Sequence, residues 1–274
     1  MAKTETKDAI ISLRDIHKSY GKHAVLKGVN LDISKGNIFG LIGKNGSGKT
    51  TIFKVLLGLS AHQSGEVRIG GEPYEKGIQH THIGFMVGSC FFPYMTAKQN
   101  MEYFCDMKGI KDKSEADRVL KIVGLEGVKT KFKGFSLGMK QRLGIANAIL
   151  GNPEVVILDE PTNGLDPQGI ADIRHLIQHL NREYKMTMIV SSHILSELQN
   201  TADTFGIVNN GVIAKVVTQE DLMVSDDIVS LKVSDGDKAR EVLSAAGIEV
   251  LSTKQRTRNL EDIYFDLIGG DMDA

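Results

Sequence analysis

The chain has 274 residues, of which 41% are hydrophobic and 24% charged, and its formal net charge at pH 7 is -1. A chain of this length buries a full hydrophobic core and fits one large domain with a smaller appendage. The near-zero charge and the 6% aromatic content without tryptophan argue against a broadly basic or stacking surface, so no nucleic-acid partner is expected.

The N-terminal segment, MAKTETKDAI, lacks the apolar stretch of a secretory signal, and no apolar run approaches the ~18 residues that would span a bilayer. The two cysteines, Cys90 and Cys105, have no metal-ligand or redox spacing. We interpret them as reduced, packed thiols of a cytosolic protein. If the protein acts at a membrane, another polypeptide must cross it.

The first predicted elements are IISLRDIHKSY and HAVLKGVNLDI, in which apolar and polar residues alternate as in half-buried antiparallel strands. The apolar run IFGLI at 38–42 is followed by glycines and by KTTIFKVLLGL, which has helical spacing. That order predicts a buried strand, a loop and a helix. EVRIGG at 66–71 and HIGFMVG at 82–88 are predicted to be further strands.

Between about 95 and 150 the pattern predicts helices only, which indicates a helical insertion into a sheet protein. EVVILDE at 154–160 and MTMIVSSH at 186–193 are again short apolar runs that end in polar residues, and a helix over about 168–184 separates them. This alternation predicts a parallel sheet with crossover helices, whose ligand site lies at the carboxyl ends of the strands.

A boundary is predicted near 217–225, where TQEDLMVSDD interrupts the pattern. The segment 218–274 then reads as strand, helix, strand, helix, and we expect a small C-terminal α/β accessory domain. The expected fold class is α/β, with a parallel sheet in the core, an N-terminal antiparallel β subdomain, a helical insertion and this small α+β appendage.

The segment GKNGSGKT at 43–50 matches the phosphate-loop pattern G-x-x-x-x-G-K-[ST] and lies between a predicted strand and helix. A glycine-rich turn with a solvated lysine is the alternative, and the flanking elements argue against it. Glycines allow backbone amides to surround phosphates, Lys49 reaches the β and γ phosphates, and the Thr50 hydroxyl can bind Mg²⁺. The candidate nucleotide-binding residues here are Gly43, Asn45, Gly46, Ser47, Gly48, Lys49, Thr50 and Thr51.

Polar residues at two strand ends supply the remaining candidates. Asp159 can hold Mg²⁺, and Glu160 can orient and deprotonate an attacking water, although adjacent carboxylates also serve as turn caps. His193 ends a strand at the same predicted sheet edge and can contact the γ phosphate or the water, or simply pack. Tyr20 can offer a ring face to a base or be a packing residue.

Tyr20, GKNGSGKT, FSLGMKQ, VVILDEPT, NGLDP and SSH, in this order and at these separations, resemble the nucleotide-binding subunit of an ABC transporter over roughly residues 8–217. The resemblance implies a P-loop NTPase (RecA-like) core, ATP and Mg²⁺ as cofactors, and hydrolysis with Lys49, Glu160 and His193 as catalytic residues. It also implies a separate transmembrane permease subunit and a peripheral location on the cytoplasmic face of the membrane. The SLGMKQR form is similar to that of bacterial export ATPases for peptide-antibiotic resistance and lantibiotic immunity.

The resemblance further implies that Ser136 and Gly138 contact the γ phosphate of ATP bound to another protomer, so that two chains enclose two nucleotides. A helix N-terminus from a partner adds a dipole and NH donors that one phosphate loop lacks. Asp166, in NGLDP, is expected at the same interface. The dimer is expected to be a homodimer, with a heterodimer as the alternative.

The sequence departs from the family pattern at three places. Gly88 stands where the family usually has a glutamine, so the coupling to the membrane subunit is expected to be altered. Leu137 replaces a usual glycine and Met139 a usual glutamine, which is expected to change the strength of the trans contact. The segment FFPYM at 91–95 is either core or a docking surface for the membrane subunit, with docking favoured.

His175 and His179 are four residues apart on a predicted helix, which invites a metal interpretation. They lie opposite the apolar stripe, so we interpret them as a solvated face. For the whole chain, export of a peptide antibiotic or lipid-like compound is expected. The alternatives are an importer subunit, a soluble regulatory or repair ATPase of the same superfamily, and a module that binds ATP without turnover.

Overall fold

The structure, a computed structural model, describes residues 9–73, 83–86 and 91–222, together with residues 242, 243 and 245. The strands are β1 Ala9–Tyr20, β2 His23–Ser34, β3 Ile38–Ile42, β4 Ser64–Ile69, β5 Glu72–Pro73, β6 Ile83–Met86, β7 Val155–Asp159, β8 Thr187–Ser192, β9 Thr204–Asn209 and β10 Val212–Thr218. The helices are α1 Lys49–Leu56, α2 Ala97–Met107, α3 Ser114–Ile122, α4 Leu137–Ala148, α5 Pro167–Tyr184, α6 Leu195–Gln199 and α7 Gln219–Leu222.

The central sheet has six strands in the order β10-β9-β3-β8-β7-β6, and the pairs β9/β3, β3/β8, β8/β7 and β7/β6 are parallel. All five residues of β3 and all six of β8 are buried, because helices and a second sheet cover these strands and leave no polar face. This confirms the prediction of an α/β fold with a parallel sheet.

The second sheet is antiparallel, in the order β2-β1-β4-β5, and confirms the predicted N-terminal β subdomain. Its inner side chains share one hydrophobic core with β3 and α1. Phe39 and Phe53 are among the largest side chains in this core, and each is at most 1% exposed. The phosphate loop connects β3 to α1, and both of these elements pack into this core. The close-packed core therefore gives the loop a rigid support.

The helical insertion comprises α2, α3, a 3₁₀ turn at Phe132–Gly134 and α4. Thr96 and Gln99 form a reciprocal capping box that starts α2. Helix α4 packs against β6 at two glycines, because a β-carbon on Gly84 or Gly144 would collide with Ala148 or Met86. This close approach holds the C-terminal half of α4 against the sheet.

The hairpin β9–β10 closes one end of the central sheet and was not identified from the sequence. Its turn uses Asn210 at φ 47° and Gly211 at φ 83°, two adjacent left-handed residues that suit a tight hairpin. The dipeptide Asn-Gly between apolar runs is the sequence signal that predicts such a turn.

The chain divides into two compact units, Met1–Val216 and Val217–Ala274. In the second unit, Asp221 accepts hydrogen bonds from the backbone and hydroxyl of Thr218 at the start of α7. Most of the predicted accessory domain lies outside the described residues, so the domain ranges 8–217 and 218–274 stay predictions. Within the described ranges, no helix is long and apolar enough to span a bilayer.

Candidate functional site

The candidate site lies where three neighbouring parallel strands end. Ile42, the last residue of β3, is in register with Ser192 on β8, and Asp159, the last residue of β7, is in register with Ser191. The loop after β3, the carboxylates after β7 and His193 after β8 therefore emerge at one sheet edge. This is the edge at which open parallel sheets bind ligands.

The phosphate loop ends at Gly48, which has φ 116° and caps the start of α1. This left-handed conformation favours glycine, and a β-carbon there would also approach Leu26 Cδ2 to 2.9 Å. The ammonium of Lys49 donates to the carbonyl oxygens of Gly43, at 2.6 Å, and Lys44, at 3.3 Å. Burial lowers the pKa of Lys49, and the nearby carboxylates Glu160 and Asp159 partly oppose this effect.

A cleft of about 310 Å³ opens over this loop. The cleft has the size of a small ligand pocket. The N-terminus of α1, with its free backbone amides, is well suited to bind an anion. Gly43 and Ser47 belong to the loop but do not line the cleft. The lining residues are His23, Val25, Asn45, Gly46, Gly48, Lys49, Thr50, Thr51 and Glu160.

A chain of hydrogen bonds connects α1 to the ends of β7 and β8. The Thr50 hydroxyl donates to Asp159 Oδ2 at 3.2 Å, and the Ser191 hydroxyl donates to Asp159 Oδ1 at 2.6 Å. Ser191 Oγ in turn accepts from the backbone N–H of Glu160 at 2.9 Å. Hydroxyl and carboxylate oxygens are the ligands that Mg²⁺ prefers, so the donor set of Thr50 and Asp159 fits this ion.

Glu160 and His193 are brought together at the mouth of the site. His193 Nδ1 lies 3.2 Å from Glu160 Oε2, with the side chains 41% and 24% exposed. Glu160 has φ 49°, a left-handed conformation that costs a non-glycine residue about 1 kcal/mol and is typical of functional sites. The pair can orient and accept a proton from a water molecule in the cleft.

Tyr20 is half exposed and lies beside the cleft. Its hydroxyl is 3.2 Å from Ser60 Oγ, and a hydrogen bond with Ser60 is the main cause of its lowered pKa, to which Lys18 and Thr51 also contribute. The Lys18 ammonium lies 4.8 Å from the ring centroid. Tyr20 is in register with His23, which lines the cleft, so the hairpin carries both rings to its rim.

Ser136 and Asp166 each cap a helix outside this cleft. Ser136 Oγ accepts from Met139 N at 3.2 Å at the start of α4, and Asp166 Oδ1 accepts from Gly169 N at 2.8 Å at the start of α5. Gly138 lies in the first turn of α4, beside Leu165. Ser136 and Asp166 are exposed, and none of the three residues lines the cleft of its own chain.

The aromatic segment 91–95 divides into a packed and an exposed part. The ring of Phe91 contacts Phe104 at 5.6 Å and Phe132 at 5.2 Å between centroids. Phe92 is 38% and Tyr94 73% exposed. Phe91 is therefore packed and partly buried, and Phe92 and Tyr94 form a surface. Gly88, the position of the missing glutamine, lies outside the described residues, as does Cys90.

His175 and His179 are exposed on α5, as interpreted from the sequence. Among the described residues, no group of histidine, cysteine and carboxylate side chains forms a metal cluster. Cys105 is a buried free thiol, and burial is the main cause of its raised pKa. The expectation of a reduced, packed thiol therefore holds for Cys105.

Three residues of the site were not predicted from the sequence. His23 and Val25 line the cleft, and Ser191 holds Asp159. The two-residue turn after Tyr20 is the signal that could have placed His23 beside that tyrosine. Ser191 carries no local signal, because its role depends on the pairing of two distant strands.

Comparisons with known proteins find relatives in both sequence and fold. The profile of the family described as ABC transporter matches residues 26–163. The chain is 38% identical over 298 residues to the bacitracin transport ATP-binding protein BcrA of Enterococcus faecalis, covering 95% of this chain and 97% of the relative. It is also 38% identical over 223 residues to the lantibiotic transport ATP-binding protein SrtF of Streptococcus pyogenes, covering 81% and 95%.

A solved structure of similar fold is the dimeric post-hydrolysis state of the ATP-binding cassette MJ0796 bound to ADP and Pi. It superimposes with a TM-score of 0.68 at 27% sequence identity, covering 76% of this chain and 98% of the cassette.

Proposed function

The chain belongs to the ABC transporter family, and from this premise we propose that it is the ATP-hydrolysing subunit of an exporter of a peptide antibiotic. The subunit binds ATP and works with a separate membrane-spanning partner. Support for the cargo comes from the relatives named for bacitracin and lantibiotic transport. A lipid-like cargo is the alternative within the same function.

The observation that carries the proposal is the convergence of Lys49, Glu160 and His193 at one sheet edge beside an anion-binding helix start. In the proposed reaction, the loop amides and the Lys49 ammonium hold the β and γ phosphates. Glu160 orients the attacking water and accepts its proton, and His193 holds the Glu160 carboxylate in place. Thr50 and Asp159 would hold Mg²⁺, which supplies charge neutralisation at the phosphates when bound.

We propose that two copies of the chain pair head to tail, with Ser136 and Gly138 of one copy closing the cleft of the other. Support comes from their position on the surface outside their own cleft, and from the relative solved as a dimer. A two-fold arrangement completes both clefts at once. Asp166 caps the neighbouring helix and would lie at the same interface.

The surface of Phe92 and Tyr94 is the proposed docking site for the membrane partner. Exposed aromatic side chains beside a rigid helical insertion suit an apolar helix from another subunit. Through this contact the chain would sit peripherally on the cytoplasmic face of the membrane.

The test is to tag the chain in its native cell, solubilise membranes in mild detergent, and identify the proteins that purify with it by mass spectrometry. Recovery of a multi-helix membrane protein in near-equal amount supports the transporter, and stimulation of ATP hydrolysis in that complex by a peptide antibiotic supports the cargo. Recovery with ribosomes or DNA instead would favour a soluble ATPase of the same superfamily.

A further inference from the structure

We infer that Glu197, on α6, is a positioning residue that fixes Glu160 and His193 relative to each other; this inference rests on the proposed function. Both catalytic candidates lie on loops and are partly exposed. Their direct contact of 3.2 Å is therefore open to solvent, and a second constraint is needed to keep its geometry.

That constraint lies directly behind the pair. Glu197 Oε2 accepts a hydrogen bond from the Thr162 hydroxyl at 2.6 Å, and Ser192 Oγ lies 3.4 Å from the same oxygen. Thr162 follows Glu160 by two residues, and Ser192 directly precedes His193. One carboxylate oxygen of Glu197 thus contacts both the loop that carries Glu160, through Thr162, and the residue next to His193, which is Ser192.

The surroundings of Glu197 keep this carboxylate in place. Ser192 is 4% exposed, and its hydroxyl also accepts from the backbone N–H of Ile194 at 2.9 Å, so it fixes the residues on both sides of His193. The Thr201 hydroxyl donates to the backbone carbonyl of Glu197 at 2.7 Å and holds α6 itself. Hydrogen bonds to a partly buried carboxylate are charge-assisted and stronger than those between neutral groups.

The contact has a consequence for the reaction rather than for nucleotide binding. Glu197 and Thr162 do not line the cleft, so their loss leaves the phosphate contacts intact. It frees the two loops to move apart, and misplacement of a catalytic group by about 1 Å can cost up to ~100-fold in rate.

The test is a double-mutant cycle in steady-state ATP hydrolysis with Thr162→Val and Glu197→Ala. We expect each single variant to lower kcat on the order of tenfold, with KM for ATP and the melting temperature close to wild type. The double variant should be no slower than Glu197→Ala alone, because that substitution already removes the contact with Thr162. Glu197→Gln, which keeps an acceptor for the Thr162 hydroxyl, should restore most of kcat.

The exposed neighbour Ser196→Ala is the matched control on α6 and should behave as wild type. If Glu197→Ala does not fold, the inference is tested with Thr162→Val and Glu197→Gln alone. An unchanged kcat in Thr162→Val, or rate losses that multiply in the double variant, would overturn the inference. Loss of hydrolysis in Glu160→Gln, measured alongside, separates this failure from a failure of the proposed function.

Discussion

The imidazole Nδ1 of His193 lies 3.2 Å from the Oε2 atom of Glu160, although 32 residues and a complete helix separate them in the chain. The contact exists because β7 and β8 are adjacent and in register, so that their carboxyl ends coincide. It places an imidazole beside the carboxylate that lines the cleft.

Replacing Glu160 by Gln should lower the rate of phosphate release by roughly 10²–10⁴-fold, because the amide cannot accept the proton of the attacking water. ATP binding should persist, since the loop amides and Lys49, the proposed phosphate ligands, are unchanged. A phosphate-release assay with a filter-binding measurement of ATP checks both. Glu183→Gln, the same change at an exposed position of α5, is the control and should be fully active.

In the Glu160→Gln background, saturating ATP should accumulate a dimer in sedimentation velocity, and adding Ser136→Arg should abolish it. The bulky arginine side chain would lie at the N-terminus of α4, which is proposed to approach the partner's cleft. Ser64→Arg, at an exposed position of the antiparallel sheet, should leave the dimer intact. Persistence of the dimer in the Ser136→Arg variant would exclude this helix start from the interface.

The affinity for ATP should begin to fall at a lower pH than it would if Lys49 had an ordinary lysine pKa, because burial lowers the pKa of Lys49. As pH rises through this lowered pKa, the ammonium that is proposed to contact the phosphates loses its charge, so binding should weaken. Equilibrium binding of a non-hydrolysable ATP analogue across pH values from neutral to about 10 measures the effect. Lys49→Arg keeps its charge over this range and should remove the alkaline decline, whatever its affinity at neutral pH.

Phe92→Ser with Tyr94→Ser should release the membrane partner in detergent while ATP binding persists. The melting temperature should fall only slightly, because Tyr94 is largely exposed and the Phe92 side chain, although it contacts the Tyr103 ring, is also exposed. Phe91→Ser should instead lower the free energy of unfolding by about 1–3 kcal/mol, since it removes ring packing against Phe104 and Phe132. Co-purification and thermal melting distinguish the two effects. A partner that stays bound to the double variant would argue against this docking surface.

Much of the fold followed from local patterns. Apolar runs at 38–42 and 154–160 predicted buried strands because a strand covered on both faces has no polar side, and β3 and β7 confirm them. The phosphate loop was recognisable because its glycines, lysine and threonine act together over eight residues. The hairpin β9–β10 was missed even though its Asn-Gly turn is a local signal.

The sequence by itself determined the chemistry: a phosphate loop, two carboxylates at a strand end and a histidine after the next strand along the chain. Only the tertiary structure decided which of these touch and what holds them. Strand pairing brings Ser191 to Asp159 and Glu197 to Thr162, contacts across 32 and 35 residues that no local pattern encodes. It also divides the aromatic segment into Phe91, which is partly buried against Phe104 and Phe132, and an exposed surface, because burial depends on which distant rings pack over each side chain.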